Sequence, residues 1–252
     1  MPASTTQPGG ATDRKRQWRF PTTHWSLVLS AGDQLSPEAA EALSKLYQQY
    51  WYPLYAYIRR RGHAHHEAED LAQGFFQHLL EKGVLAGIVR DGGKFRSFLL
   101  TAATRFLLDN QKRAAAQKRG GGTPTLSLSS EQAQRQFDLE ISEPLSPETI
   151  YQRAWVSTLL KTVLDRLEEE RRVAEKDESF EHLRIYLLGD TGLPTYAEMG
   201  ARLGQTEGSV RVAVHRLRTR YRELLQEEIL RTVASPDDLA EELRSLLALF
   251  AD

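Results

Sequence analysis

Apolar residues recur every three or four positions along most of the chain, and no stretch alternates apolar with polar residues over the length of a strand. Ser36-Pro37 reads as an N-cap followed by proline at the first helical position. From there Leu43, Leu46, Tyr47, Tyr50, Leu54, Tyr57 and Ile58 keep helical spacing. Pro53 predicts a kink in this helix and Gly62 its stop. A second helix is expected from His65 to Lys82, with Ala68, Leu71, Phe75 and Leu79 on one face. The glycines of 83–94 predict a loop. A third helix begins near Phe95, with Phe95, Phe98, Leu99, Ala102, Phe106 and Asp109 on its inner side, and fades through a basic end at 112–119.

Gly120-Gly121-Gly122-Thr123-Pro124 breaks the pattern. The Ser-, Gln- and Glu-rich stretch that follows reads as a linker between domains, with Leu126, Leu128 or Phe137 available to dock it locally. Ser146-Pro147 starts another helix, spaced through Leu159, Val163, Leu164 and Leu167, with a charged break over 168–178. A short helix over 180–188 closes at Gly189 and Gly192, and two more follow. Ser235-Pro236-Asp237-Asp238 caps a last helix whose apolar face holds Leu239, Leu243, Leu246, Leu247 and Phe250. The pattern predicts an all-α chain: two small helical domains joined by a flexible linker. The expected divisions are a partly disordered N-terminal extension at 1–34, a first domain at 35–119, a linker at 120–146, a second domain at 147–231 and an amphipathic helix at 232–252. Within the extension, residues 18–32 are too apolar to be idle.

Composition narrows the chemistry. The 252 residues are 40% hydrophobic, enough for two small cores. There is no cysteine, which excludes disulfides, thiol nucleophiles and Cys-bound zinc. No apolar run approaches the ~18 residues of a membrane span, and the first twenty residues lack a secretory h-region. The expected compartment is the cytoplasm, without membrane insertion. Net charge is only -1, yet the charges are segregated. Residues 101–119 carry five bases against one acid, and 195–222 six bases against two acids. Residues 163–181 hold eight acids against four bases, and 223–252 eight against two. Two basic stretches set among acidic ones suggest two anion-facing surfaces, although a single such run is usually a solvated helix face.

The second basic stretch carries the strongest local signal, TYAEMGARLGQTEGSVRVAVHRLRTR at 195–220. Thr195-x-x-Glu198 is a capping box. Gly204 ends the short helix at a corner that needs positive φ. Thr206 caps the next helix, and Gly200 is small where two helices cross closely. Met199, Leu203, Val210, Ala213, Val214 and Leu217 supply the mutual core. That leaves Ser209, Arg211, Val212, His215, Arg216 and Thr219 on the outer face, the arrangement of a helix-turn-helix whose second helix enters a major groove. A plain helical hairpin in a bundle is the bland alternative. In the first domain, the stretch FRSFLLTAATRFLLDNQKR at 95–113 interleaves aromatics with bases. That suits single-stranded DNA, with rings stacking on bases and cations following phosphates, although each phenylalanine taken singly is more often core.

In order and spacing these features resemble the extracytoplasmic-function (ECF) sigma factors of bacterial RNA polymerase, which keep only regions 2 and 4 joined by a flexible linker. AEDLAQGFF at 68–76 resembles the family's AEDLVQETF, FRSFLLTAATRFLLD at 95–109 resembles FRAWLYRIARNLALD, and 195–220 resembles region 4. The resemblance covers about two thirds of the chain. It implies core RNA polymerase and promoter DNA as partners, no cofactor, no metal and no enzymatic activity. By position, Asp70, Gln73 and Phe76 match the surface that grips the polymerase. Arg96, Thr104, Arg105, Asn110, Lys112 and Arg113 match the helix that holds the −10 element, and the loop at 83–94 the segment that captures a flipped base. Ser209, Arg211, Val212, His215 and Arg216 match the −35 recognition helix. An anti-sigma factor or a regulatory kinase are further candidate partners. Gly74 and Phe75 depart from the family's Glu and Thr, and Phe98 from its Trp. Neither 18–32 nor 236–250 belongs to the minimal family, so both are candidate regulatory or docking elements.

Four other readings compete. His63, His65 and His66 stand near Glu67, Glu69 and Asp70, but no H-E-x-x-H or second ligand cluster accompanies them. Gly87, Gly92, Gly93 and Lys94 imitate a P-loop without its strand or its Ser/Thr. A free-standing helix-turn-helix regulator would bind duplex DNA without polymerase, and a sigma-like decoy would occupy polymerase without starting transcription.

Overall fold

A computed structural model describes residues 38–81, 85, 94–116, 130–140, 144–173, 177–187, 192–233 and 236–250. The N-terminal extension, most of the 83–94 loop, Leu126 and Leu128 lie outside the described residues. Among those described, every regular element is a helix. In chain order they are α1 (Glu38–Arg60), α2 (His65–Glu81), α3 (Phe95–Ala116), α4 (Ser130–Glu140), α5 (Pro147–Val173) and α6 (Asp177–Leu183). A 3-10 turn (Arg184–Leu187), α7 (Tyr196–Leu203), α8 (Glu207–Leu230), a second 3-10 turn (Pro236–Asp238) and α9 (Leu239–Ala248) complete them. The all-α expectation holds.

α1 continues through Pro53, and Gly62, with φ 95°, closes the turn after it. Its second half is buried on every side, from Tyr52 to Ile58, because α2, α4 and α5 all close on it. The ring of Tyr50 meets Phe95 edge-on at 5.4 Å, and that of Tyr57 meets Tyr151 at 6.3 Å. Buried tyrosines need partners for their hydroxyls. Tyr55 Oη donates to Gln134 Oε1 at 3.1 Å and lies 2.7 Å from His65 Nδ1. Tyr57 Oη lies 2.8 Å from Thr104 Oγ1 and accepts from Arg61 Nη1 at 2.8 Å.

The segment expected to link the domains contains α4. Phe137 docks it as one of the offered anchors: its ring is buried edge-on to Tyr55 at 6.2 Å, under the Arg59 guanidinium at 4.9 Å. α5 then starts at the expected Ser146 cap, whose Oγ accepts from the Thr149 amide at 3.1 Å. The two apolar clusters divide within α5 itself. Ile150, Tyr151, Ala154, Trp155, Val156 and Leu159 belong to the first, built on α1–α4. Val163 and Leu167 belong to the second, with Phe180, Leu183, Met199, Val210, Val214, Leu217 and Leu224.

Two faces differ from expectation. On α3, Ala103 and Leu107 are buried whereas Asp109 is exposed. The inner stripe therefore runs Phe95–Leu99–Ala103–Leu107 along a single row, and Phe98, Ala102 and Phe106 flank it half-buried. On α9, Leu247 and Phe250 are exposed, and Glu242 is buried beside Leu246. The ends of α8 and α9 lie against the first cluster through Ile229, Val233 and Leu246.

Phe137→Ala is expected to lower the unfolding free energy by about 3 kcal/mol, the typical cost of deleting a buried ring. Denaturant unfolding checks it, and a change below about 0.5 kcal/mol, the range of surface positions, would mean that α4 is not docked.

Candidate nucleic-acid and polymerase interfaces

The 195–220 stretch folds as its caps dictate. Thr195 is the N-cap of α7: its Oγ1 accepts from the Glu198 amide at 3.2 Å, and the Glu198 carboxylate accepts from the Thr195 amide at 2.7 Å. The Thr195 amide, and then its hydroxyl, which donates to the same carboxylate oxygen at 3.0 Å, hold the Glu198 carboxyl below its ordinary value. Gly204 ends α7 at φ 64°, in the left-handed region. Thr206 caps α8, accepting from the Ser209 amide at 3.2 Å. Gly200 is required by a close approach, since a Cβ there would lie 2.7 Å from the Gln205 carbonyl oxygen. Its crowding comes from the turn's backbone rather than from the crossing helix.

This corner turns one face of α8 outward. Ser209, Arg211, Val212, His215 and Arg216 are all exposed, whereas Val210, Val214 and Leu217 are buried. Val212, half exposed, presents an apolar patch of the kind that meets a thymine methyl. The arginines divide by use. Arg218 donates twice to the Tyr186 carbonyl, at 3.2 and 3.0 Å. Arg220 forks onto Glu170 at 2.9 and 2.8 Å, and these bonds depress the Glu170 carboxyl pKa. Arg211 holds Glu207 at 2.5 Å on the surface. Arg216 has no hydrogen-bond or ion-pair partner among the described residues. Structure takes the arginines on the inner side and leaves the outer face cationic.

On α2, Asp70 and Gln73 are exposed side by side, one helical turn apart, and Phe76 is buried beneath, its ring 5.0 Å from that of Tyr47. Gly74 faces α3, where a Cβ would meet Phe106 Cζ at an ordinary 3.6 Å. Its lack of a side chain removes a carboxylate from this surface without being demanded by packing.

The six α3 residues separate. Arg105, Lys112 and Arg113 are exposed and unpaired among the described residues. Asn110 is half-buried, and Thr104 hydrogen-bonds to Tyr57 and to the Leu100 carbonyl. Arg96 is buried. Its Nη1 pairs with Glu242, its Nε donates to Gln152 Oε1 at 2.8 Å, and its guanidinium lies over the Trp155 ring at 4.7 Å. Lys94 Nζ lies 2.5 Å from the other Glu242 oxygen. Burial first, and Arg96 second, lower the Lys94 pKa. Sequence reasoning missed Glu242, although it stands three residues after Leu239 and four before Leu246, within the apolar stripe of α9.

The histidines lie against carboxylates: His63 Nδ1 is 2.9 Å from Glu67, and His65 and His66 are 3.8 and 3.4 Å from Glu69. The His65, His66 and Glu69 ligand atoms lie within 4.8 Å of one another, with His66 fully at the surface.

Against this geometry, the family model for ECF sigma factor matches residues 30–227, from before α1 to near the end of α8. The chain belongs to the ECF sigma factor family. Its role is that of a sigma factor in transcription initiation, in a family of transcription factors rather than enzymes, and membership implies polymerase core and promoter DNA as partners. No match is found among curated proteins or solved structures. Among the described residues no helix is long and apolar enough to cross a membrane. The family match stops before α9, so the helix that covers Arg96 lies outside the matched residues.

Gly200→Ala is expected to destabilise the second cluster by roughly 1–3 kcal/mol, the cost of forcing a methyl into filled space. Thermal unfolding followed by hydrogen exchange of the α7 and α8 amides measures it. A neutral substitution would show that the corner has room to relax.

Proposed function

We propose that the ECF sigma factor reads a promoter at two places while held on core polymerase. The exposed Asp70–Gln73 surface of α2, backed by Phe76, docks on core. Arg105, Lys112 and Arg113 of α3 follow the backbone of the −10 strand, with Arg96, Thr104 and Asn110 contributing from the same helix. The outer face of α8 reads the −35 duplex through Ser209, Arg211, Val212, His215 and Arg216. The observation that carries this reading is the sorting of α8: all five proposed base-facing residues are exposed on one face, and of the residues between them Val210 and Val214 are buried and Ala213 half-buried.

The physics divides the labour. Contacts from Arg and Lys to phosphate supply affinity that falls with salt, and base-edge contacts supply sequence choice. Unstacking −10 bases costs a few kcal/mol, offset by stacking and by a pocket. Because polymerase fixes the spacing of the two elements, engagement of one raises the effective concentration of the other.

Size-exclusion chromatography with core polymerase tests the docking. The native chain is expected to co-elute at micromolar concentration, and Asp70→Ala to weaken that co-elution at least several-fold. Elution apart from core, together with tight symmetric binding to duplex DNA alone, would identify a free-standing regulator instead. On a promoter the factor uses, Arg216→Ala is expected to lower open-complex formation by about tenfold, corresponding to about 1.4 kcal/mol and within the range of one base-reading arginine. Permanganate footprinting reads that change, and an unchanged footprint would remove Arg216 from the −35 contact.

A further inference from the structure

The surroundings of Arg96 form a built anion site whose occupant comes from the chain itself. α3 supplies Lys94 just before its first turn and Arg96 within it. α5 supplies Gln152 as a partner for the guanidinium and Trp155 as a floor beneath it. Into this site α9 inserts Glu242, only 1% exposed, with one oxygen on each cation. The ion pairs around it join residues almost 150 positions apart, whereas most others among the described residues join positions three or four apart. A buried carboxylate is strongly unfavourable unless cations await it, so the site and Glu242 are complementary. Glu242 also sits on a short terminal helix, which is otherwise held by Leu246, by half-buried Leu239, Leu243 and Leu249, and by Arg153. It has ten residues, its first position lacks a side-chain cap, and Leu247 and Phe250 face solvent. Beyond these apolar contacts its anchor is Arg153, whose Nε donates to the Leu249 carbonyl at 2.7 Å and whose guanidinium lies over the half-exposed Phe250 ring at 5.7 Å.

We propose that Glu242 stands in for a DNA phosphate: Lys94 and Arg96 form a backbone-phosphate site on the −10-facing helix, and α9 keeps it closed until polymerase or promoter DNA displaces the helix. This rests on α3 being the −10-facing element. While α9 is docked, the apparent affinity of α3 for a single strand is reduced by the fraction of molecules that are open. Release exposes two cations together and adds two phosphate contacts.

The test uses the full chain and a fluorescent single-stranded oligonucleotide. Glu242→Gln keeps the shape and removes the charge. It is expected to speed hydrogen exchange of the 239–248 amides and to raise oligonucleotide affinity about tenfold, the effect of releasing a closed state populated about nine times in ten. The log–log salt slope should steepen by about 1.4, two contacts at about 0.7 each. Adding Arg96→Ala to Glu242→Gln should abolish the gain. Because the uncharged variant leaves buried cations unpaired, Arg153→Ala provides a second route: it loosens α9 without touching the anion site and should shift affinity in the same direction. In the native chain, saturating DNA with core should speed exchange over α9. The latch is overturned if α9 is freed without gain in affinity or slope, or if it stays protected in a transcribing complex. Arg105→Ala separates the two levels. Weaker binding from that variant beside no gain from Glu242→Gln sinks the latch and leaves the −10 assignment standing. No weakening from Arg105→Ala removes the assignment, and the latch with it.

Discussion

Packing of α5 against α1 along its first half and against α8 along its second is the constraint on which the other arrangements rest. Twenty-seven residues of helix make a rod about 40 Å long. Tyr151, Ala154, Trp155 and Leu159 are buried in one apolar cluster, and one turn later Val163 and Leu167 are buried in the other. Polar contacts then fix the rod's far half: Arg166 reaches Glu227 at 2.7 Å and Glu228 at 3.2 Å, and Arg220 forks onto Glu170. Glu228 is buried and takes a second cation, Arg231, at 2.6 Å. Losing either arginine would leave this buried carboxylate short of charge, a costly state. α8 therefore has an anchored C-terminal half and a presented N-terminal half, a suitable division for a helix that must enter a groove in one register.

That division explains why so arginine-rich a stretch is not simply a charged surface. Arg218, exposed at its edge, and half-buried Arg220 are tied to a carbonyl and a carboxylate, while Arg216 stays free on the outer face among the described residues. In the first domain the same logic works between elements. Arg105, Lys112 and Arg113 remain in solvent, while Arg96 is drawn beneath α5 and α9. Chain chemistry alone does not distinguish these fates. They depend on which neighbour brings a carboxylate, and here a helix outside the residues matched by the family does so.

What was legible followed from local rules. Capping box, left-handed glycine and second N-cap fix the corner of the 195–220 stretch within a few residues, so its outer face could be named from spacing. The helices carrying Asp70 and Arg105 were likewise readable from a single apolar stripe. Reading failed where burial came from distant elements. In α1 the stripe of Leu54, Tyr57 and Ile58 was readable, but not the burial of Tyr52, Tyr55 and Ala56 beside it, because neighbours surround α1 on several sides. The 130–140 segment looked like linker because its composition is polar, yet buried Phe137 and Ala133 and the Gln134–Tyr55 bond dock it. Glu242 was passed over because a carboxylate in an apolar stripe makes sense only once Lys94 and Arg96 are seen opposite it, across most of the chain.

The most direct test of the central claim, that this chain is an initiating sigma factor, is reconstituted transcription. Purified core polymerase would be given a library of genomic fragments with and without the chain, and the 5′ ends of the transcripts sequenced. An initiating sigma factor gives a discrete set of start sites that requires the chain, each preceded by two shared sequence elements at constant spacing. Polymerase bound by the chain yet starting nowhere, or starts unaltered by its presence, would contradict that claim.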